Sequence, residues 1–185
     1  MKIDFKLTGT PPHLELFGGP WNLSTPAAPT MFLRKQTTRQ TLWKTQLDYQ
    51  PDSLRTEAGT VLWWNYFTYS SIGIRRSSSR SRFIRYRPAS GEVVDIQLRT
   101  MEAEVLLLID CHDLEYRLGF VELHDETSEV SSKEIATWVG SVSTDIMTRD
   151  PEVGAAFTGM MLGLYAFGEL EPCLTPAVFR FAAFE

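Results

Sequence analysis

Apolar and polar side chains alternate along residues 41–49, and this period of two constrains the fold more than any other feature of the chain. The apolar members are Trp43, Leu47 and Tyr49, and the polar residues between them are Lys44, Gln46 and Asp48. Successive side chains of a strand point to opposite faces, so the pattern predicts a strand with one buried and one hydrated face. Pro51 and Asp52 are typical of a turn, and the run from 57 to 66 predicts a strand that returns through the core.

Short runs with the same strand character recur along the whole chain, separated by Gly, Pro, Asn or Asp. They predict thirteen strands, at residues 3–7, 14–17, 31–35, 41–49, 58–66, 69–75, 82–87, 93–98, 105–111, 116–123, 135–141, 160–166 and 178–184. Helical spacing is weak and restricted to residues 143–147 and 150–156. Many short strands with this punctuation indicate an all-β fold, a sandwich or jelly roll of two antiparallel sheets.

The size of the chain suits one domain. Its 185 residues, 43% of them hydrophobic and 12% aromatic, are enough to fill one thick core, and no internal repeat or linker divides them. We therefore expect a single β-sandwich over residues 1–185. No apolar run reaches the length of a membrane span and no signal pattern opens the sequence, so no membrane partner is expected. Both an extracellular and a cytoplasmic location stay open.

The metal-binding and redox residues are few. Two buried free thiols are the favoured interpretation of Cys111 and Cys173, with a single disulfide as the alternative. The histidines are scattered, at His13, His112 and His124. No motif has ligand spacing, so the sequence predicts neither a metal site nor a cofactor. Structural calcium stays possible, because carbonyl ligands are poorly visible in a sequence.

Charge is distributed unevenly, although the net charge is only −5. Residues 1–100 carry 14 Lys and Arg against 7 acids, and residues 101–185 carry 4 against 16. Six arginines fall between residues 75 and 87, where Arg80 with Arg82 and Arg85 with Arg87 alternate as outer-face residues of a hairpin would. A hydrated strand pair is the favoured interpretation. Uronate-bearing xylan is the alternative ligand of this segment, and nucleic acid is disfavoured by the acidic composition.

Several motifs follow one another in a recognisable order. Residues 33–65 contain Leu33-Arg34-Lys35-Gln36, Leu47-Asp48-Tyr49 with Pro51, Glu57-Ala58-Gly59 and Trp63-Trp64-Asn65. LELFGGPWNLSTPAAPT (14–30) precedes them, and EYRLGFVE (115–122), TWVGSV (137–142), FTGMMLGLYAFG (157–168) and EPCLTPAVFRF (171–181) follow. This series resembles the C-terminal concanavalin A-like β-sandwich of family 43 glycoside hydrolases, β-xylosidases and α-L-arabinofuranosidases, in fungal-type members. It covers most of the chain.

The resemblance implies an accessory role. The family's catalytic acids lie on a separate five-bladed propeller that precedes the sandwich, and no part of it is in this sequence. We therefore expect a domain of a xylan- or arabinan-degrading glycosidase that packs on the propeller, shapes its pocket and is catalytically silent alone. The alternatives are an autonomous xylan-binding module and a truncated relict without activity. Xylan or a xylo-oligosaccharide is the expected ligand of the first two.

The resemblance also places one loop. In the family's xylosidases a sandwich loop reaches the edge of the propeller's pocket, and it corresponds here to Thr37, Thr38, Arg39 and Gln40. Those enzymes often carry His and Phe there, so Arg39 and Gln40 are expected to bind sugar hydroxyls instead, with a hydrated hairpin tip as the alternative. The family commonly ends in Ala-x-Phe-Asp. Arg180 stands where that Asp would be, which argues against calcium.

Exposed aromatic rings are the other candidates for sugar contact, because pyranose rings stack on them. The candidate stacking residues are Trp63, Trp138 and Trp21, although packing is the commoner role of tryptophan. Trp43 is assigned to the core. Trp63 and Trp64 are neighbours in a strand and point to opposite faces, so we expect one in the core and one exposed.

No catalytic residue is predicted in the chain itself. Hydrolysis of a glycosidic bond needs two carboxyl groups across the bond. The nearest approach is Glu122, His124 and Glu126, followed by Glu129, at the spacing of residues on one strand face. This run enters a polar loop and lacks the apolar surroundings that raise the pKa of a catalytic acid. A hydrated strand end is therefore the favoured interpretation.

Overall fold

The structure is a computed structural model that describes residues 4–79, 81–123, 132–150, 154–155 and 159–185. In chain order the strands are β1 (Phe5–Thr8), β2 (His13–Leu16), β3 (Thr30–Lys35), β4 (Thr41–Asp48), β5 (Thr56–Trp63), β6 (Tyr69–Arg76), β7 (Arg82–Arg87), β8 (Val94–Gln97), β9 (Val105–Cys111), β10 (Glu115–Glu122), β11 (Thr137–Ser143), β12 (Arg149–Asp150), β13 (Gly154–Ala155), β14 (Met161–Gly168) and β15 (Ala177–Phe184). Two short helices are α1 (Ser132–Ile135) and α2 (Thr144–Thr148).

Thirteen of these strands form two antiparallel sheets. The seven-stranded sheet has the order β1-β2-β15-β4-β9-β10-β11, and the six-stranded sheet has the order β3-β14-β5-β6-β7-β8. The thirteen predicted strands and the β-sandwich are therefore confirmed. Burial alternates with a period of two in strands such as β7, whereas β5 and β9 are continuous buried runs. The remaining strands, β12 and β13, pair with each other.

The helix suggested by the sequence at residues 150–156 is not found at residues 150, 154 and 155, the part of this range that the structure describes. Their weak helical spacing suggested a helix, but Asp150 pairs with Gly154 in the β12–β13 ribbon. Proline disfavours the helical conformation of the residue before it, and Asp150 precedes Pro151. The helical spacing at 143–147 corresponds to α2.

The core lies between the two sheets. Trp43 and Leu47 of β4 face Leu62 of β5 and Ile72 of β6 there, and all four are nearly inaccessible to solvent. The indole of Trp43 donates a hydrogen bond of 2.7 Å to Thr60 Oγ1. This bond joins the two sheets and satisfies the polar atom of a buried ring. The assignment of Trp43 to the core is thereby confirmed.

A second apolar cluster covers the outer face of the six-stranded sheet. Its buried members are Leu23, Val61, Trp63, Tyr69, Tyr165 and Phe167. Leu23 belongs to residues 18–29, here called the cover segment, which runs beside β14: Gly19 bridges Phe167, and Gly168 N donates to Gly19 O over 2.8 Å. Because this segment lies on the sheet, every residue of β5 is buried, on both faces.

Arg82 corrects the prediction for the arginine-rich hairpin. It was expected on the hydrated outer face, yet it shares a face with Ile84 and Tyr86 and is 1% exposed. Its guanidinium donates to the carbonyl groups of Tyr49 (3.0 Å), Thr100 (3.3 Å) and Ala103 (2.7 Å). Three carbonyl acceptors replace the hydration that a buried guanidinium loses, and alternation alone does not reveal them. Arg80 lies outside the described residues.

The two cysteines are buried free thiols, as the favoured interpretation predicted. Burial raises the pKa of Cys111 to about 12, so its thiol stays protonated near neutral pH. Cys173 Sγ lies 3.0 Å from the hydroxyl oxygen of Tyr49. Among the described residues no helix is long and apolar enough to cross a bilayer.

Candidate functional site

The loop between β3 and β4 borders the cleft at one end of the sandwich. The cleft has a volume of about 470 Å³ and is lined by Gln36, Thr37, Thr38, Arg39, His112, Asp113, Tyr116, Thr144, Thr148, Gly159 and Met160. The second wall comes from the turn between β9 and β10, and the floor includes Met160, whose carbonyl accepts a hydrogen bond from Gln36 N over 3.0 Å. Three connections of the fold thus meet at the residues predicted to form the pocket edge.

Hydrogen bonds hold this loop in place. Gln36 Nε2 donates to Thr38 O over 2.8 Å, and the Tyr116 hydroxyl donates to Gln36 Oε1 over 3.0 Å. Gln40 Nε2 donates to Asp113 Oδ2 over 3.3 Å. Arg39 is exposed and has no side-chain hydrogen bond or ion pair among the described residues. The loop therefore offers one unpaired guanidinium on a fixed backbone.

The candidate stacking tryptophans lie in three different surroundings. Trp63 is 8% exposed and stacks on Tyr69 with ring centroids 5.6 Å apart. Trp138 is partly buried, and the Arg117 guanidinium lies 4.7 Å from its ring centroid. Trp21, in the cover segment, is 44% exposed. Of the three, Trp21 presents the most ring surface to solvent.

The pair Trp63 and Trp64 departs from expectation. One ring was expected in the core and the other exposed, but Trp63 is buried in the outer cluster and Trp64 is partly buried against the core. The cause is the cover segment together with Tyr69, which hide a sheet face that would otherwise be hydrated. A sequence pattern within one strand carries no information about such a remote cover.

A buried acid lies on the outer face of the six-stranded sheet. Glu57 is 1% exposed; its Oε1 accepts a 2.6 Å bond from the Tyr165 hydroxyl, and its Oε2 lies 3.5 Å from Arg75. Burial raises the pKa of Glu57, against the opposing effects of the Arg75 charge and the Tyr165 hydrogen bond. Oε2 has no hydrogen-bond partner within the described part of the chain.

A second buried acid lies on the outer face of the seven-stranded sheet. Asp110 is 2% exposed and accepts hydrogen bonds from Arg117 (2.6 Å), His112 (2.9 Å) and Lys133 (2.8 Å). Burial alone would raise its pKa, but the hydrogen bonds from Arg117, Lys133 and His112 outweigh it, and the pKa of Asp110 is lowered.

The structure assembles no catalytic pair or metal cluster in the part of the chain that it describes. Residues 124–131, with His124, Glu126 and Glu129 of the candidate acid run, lie outside that part. Glu122 Oε2 accepts hydrogen bonds from the backbone N–H groups of Arg99 (2.9 Å) and Thr100 (3.3 Å). No three His, Cys, Asp or Glu side chains are grouped so as to hold a metal ion within residues 4–79, 81–123, 132–150, 154–155 and 159–185. Arg180 is engaged by Glu104 and Asp48.

Comparison with known proteins decides the family. A family model described as the β-xylosidase C-terminal concanavalin A-like domain matches residues 2–185. The chain belongs to this family. The resemblance inferred from the motifs and their order is therefore confirmed, and the fold is that of the family's sandwich. The narrower likeness to fungal-type members stays a prediction.

Several bacterial glycosidases are similar to this chain. A non-reducing end α-L-arabinofuranosidase of Bacteroides ovatus, BoGH43B, is 26% identical over 178 residues, which are 95% of this chain and 31% of the relative. A solved Bacteroides ovatus structure titled "Xyloglucan PUL GH43B" has a TM-score of 0.80 and 24% identity, over 98% of this chain and 34% of that one. A xylan β-1,4-xylosidase of Bacillus halodurans has a TM-score of 0.75 and 20% identity, over 94% and 32%.

The chain thus spans about a third of the length of the relatives that it matches. In them the matched region is an accessory part of a larger glycosidase. The two structural likenesses are below 25% identity and show the fold alone.

Sequence reasoning named Glu57 only as part of a family motif and did not predict that Glu57 and Asp110 are buried acids. A signal was present for both, since Glu57 stands in the run TEAGTVLW and Asp110 ends the apolar run VLLLI. A charged residue inside an apolar strand run indicates a buried charge with partners.

Proposed function

We propose that the chain is the accessory sandwich of a glycosidase that degrades xylan or arabinan, forming one domain over residues 1–185. It packs on a catalytic propeller, and Thr37, Thr38, Arg39 and Gln40 form part of the edge of the propeller's pocket. The observation that carries this proposal is the unpaired Arg39 on a loop fixed at a cleft of about 470 Å³. Guanidinium and amide groups donate hydrogen bonds in fixed directions, which suits them to sugar hydroxyls.

The same end of the sandwich carries apolar surface that a partner domain would cover. Leu114, in the turn between β9 and β10, is 80% exposed, and Ile146 of α2 is 41% exposed. The two elements are joined, because Thr144 N donates to Leu114 O over 3.0 Å. Large apolar side chains beside a polar cleft are typical of a surface between domains.

Catalysis by the isolated chain is not supported. Asp113 is the one carboxyl group among the described residues that line the cleft, and it accepts a hydrogen bond from Gln40. Two carboxyl groups, about 5 to 10 Å apart, are needed for the usual mechanisms of glycoside hydrolysis. The accessory role leaves that pair to the propeller.

A domain exchange tests the accessory role. In the Bacteroides ovatus arabinofuranosidase, the matched region is replaced by this chain, and hydrolysis of 4-nitrophenyl α-L-arabinofuranoside is compared with that of the relative lacking the region. We expect the exchange to restore activity. Arg39→Ala should then raise KM several-fold, whereas Arg55→Ala should not, because Arg55 is exposed at the opposite end, next to β5. An exchange no more active than the truncated relative contradicts the proposal.

A second function, autonomous binding of xylan, is favoured by the exposed ring of Trp21. It is tested by depletion of the purified chain from solution by insoluble xylan, with cellulose as the control polymer. Retention on xylan alone supports this function. Equal depletion of the chain by both polymers, or no depletion by either, contradicts this function. The domain-packing role or the truncated relict then remains.

A further inference from the structure

Arg87 stands apart within the arginine-rich hairpin. Arg75, Arg76, Arg82 and Arg85 all donate side-chain hydrogen bonds, to Glu169, Asp52 O, Tyr49 O and Asp95 respectively. Among the described residues Arg87 has neither a side-chain hydrogen bond nor an ion pair. Its guanidinium is therefore available to a ligand.

Arg87 lines a small polar pocket between the six-stranded sheet and the cover segment. The pocket has a volume of about 120 Å³, and its walls are Asn22, Leu23, Ser24, Tyr69, Arg87, Phe167 and Glu169. Trp21 directly precedes Asn22, so its Cα lies about 3.8 Å from that of a wall residue. An unpaired guanidinium and a carboxylate thus line one pocket, and the residue next to its wall in the chain, Trp21, carries an exposed indole.

Buried groups hold the acidic wall of this pocket. Arg75, which is 5% exposed, donates through NH1 to Glu169 Oε1 over 3.1 Å and through NH2 to Leu54 O over 2.8 Å. The same NH1 lies 3.5 Å from Glu57 Oε2. Glu169 is further fixed by its backbone, because its N–H donates to Arg55 O over 2.9 Å. The carboxylate is preorganised, and among the described residues its second oxygen accepts no hydrogen bond that would compete with a ligand.

The opposite wall is equally ordered. The hydroxyl oxygens of Ser24 and Tyr69 lie 2.6 Å apart. Asn22 Oδ1 accepts hydrogen bonds from Ser24 N (3.1 Å) and Thr25 Oγ1 (2.9 Å), which leaves the amide NH₂ group of Asn22 as a donor for a ligand.

We propose that this pocket binds the hydroxyl-bearing edge of one neutral sugar unit, with the face of the ring on Trp21. A sugar hydroxyl both donates and accepts hydrogen bonds, and here Arg87 and Asn22 donate while Glu169 accepts. The opposite charges of Arg87 and Glu169 balance, so a carboxylate ligand gains little. Ligand pockets that enclose whole molecules usually exceed about 300 Å³, so this one suits a terminal unit or a single-unit branch of a polysaccharide. The site rests on the second function above and is independent of the loop at residues 37–40.

Titration followed by NMR tests the site on the isolated chain. The probes are D-xylose, L-arabinose and xylotriose, with D-glucuronate as the anionic comparison. We expect saturable shifts of the Trp21 indole signal with a dissociation constant on the order of 1 mM for a neutral sugar, a typical affinity for so small a ligand. Trp21→Ala, Arg87→Met and Glu169→Gln should each weaken binding about tenfold. Trp21→Phe should restore most of it, and Arg99→Met, at an exposed arginine that follows β8 and does not line the pocket, serves as the matched control.

Four outcomes overturn the site. The first three are the absence of saturable shifts, binding that survives all three substitutions, and tighter binding of glucuronate than of the neutral sugars. Unfolding midpoints of the variants are measured beside them, and a variant that does not fold is replaced by Asn22→Asp, which removes the amide NH₂ donor at a partly buried position. Binding that is lost only in Arg39→Ala also overturns the site, and it would support the pocket-edge role of the loop.

Discussion

The outer faces of the two sheets differ in how they shield a tryptophan ring and an acid from solvent. Each carries a tryptophan and a buried acid: Trp63 and Glu57 on the six-stranded sheet, Trp138 and Asp110 on the seven-stranded sheet. The first face is closed by the cover segment, whereas Trp138 remains partly exposed under Arg117.

The pKa values of the two buried acids are shifted in opposite directions. Among the residues that the structure describes, Glu57 has one cation within 4 Å, Arg75, and its pKa is raised, mainly by burial. Asp110 has three basic partners, whose side chains are 35% to 43% exposed, and its pKa is lowered. At Glu57 burial outweighs the Arg75 charge and the Tyr165 hydrogen bond, whereas at Asp110 the hydrogen bonds from three donors outweigh burial.

The largest expected effect concerns the tryptophans. Trp63→Ala should lower the free energy of unfolding by about 4 kcal/mol, because a fully packed aromatic ring leaves a cavity. Trp138→Ala should cost roughly half as much, since its ring is already partly hydrated. Urea unfolding of both variants measures this. Equal losses would contradict the view that only the first face is closed.

The next largest effect concerns the acids. Glu57→Ala should cost about 3 kcal/mol, because it removes one partner of the buried Arg75 and the acceptor of the Tyr165 hydroxyl. Asp110→Ala should cost about 1 to 2 kcal/mol, because its partners regain water. Glu92→Ala, at an exposed position, is the control and should change stability by less than about 0.5 kcal/mol. A larger loss for Asp110→Ala than for Glu57→Ala would reverse the comparison.

The pH dependence of stability should have opposite signs for the two acids. The raised pKa of Glu57 means that the folded state binds the extra proton, so its contribution falls as pH rises above the ordinary value of 4.5. The lowered pKa of Asp110 means that its contribution is present above 3.8 and is lost as pH falls through the folded value. Relative to the wild type, Glu57→Gln should therefore gain stability with rising pH, and the deficit of Asp110→Asn should shrink in acid. Unfolding curves from pH 3 to pH 7, roughly the range in which carboxyl groups titrate, measure both trends. If the stabilities of the two variants, each relative to the wild type, changed with pH in the same direction, the direction assigned to one of the two pKa shifts would be wrong.

The smallest expected effect belongs to Trp21. With 44% of its surface exposed, Trp21→Ala should change the free energy of unfolding by less than about 0.5 kcal/mol. Thermal unfolding checks this. The result sharpens any sugar-binding experiment, because a loss of binding in this variant then reports on the ring, whereas a loss in Trp63→Ala would also report on unfolding.

Particular residues show where sequence reasoning succeeded. The alternation around Trp43 and Leu47 correctly assigned their face to the core, and all thirteen strands of the two sheets were predicted. The order of motifs from Leu33 to Phe181 indicated the family. Failure began where a side chain depends on a partner remote in sequence. Arg82 was placed on the wrong face because its carbonyl acceptors at residues 49, 100 and 103 belong to other connections.

The candidate sites divide in the same way. The sequence named the loop Thr37–Gln40 and Trp21, while Arg87, Glu169 and Asn22 came together only in the folded chain.

The sequence by itself thus determined the strands and the sandwich, because strand patterns and turn residues are local properties of each segment, and the order of its motifs indicated the family. Tertiary structure decided which outer face is covered, which arginine is left unpaired and which buried acid is raised or lowered in pKa. Those properties depend on distances between groups that are far apart in the sequence, such as Arg75 and Glu169, which are 94 residues apart. Electrostatic and packing free energies follow such distances, and a pattern within one strand does not contain them.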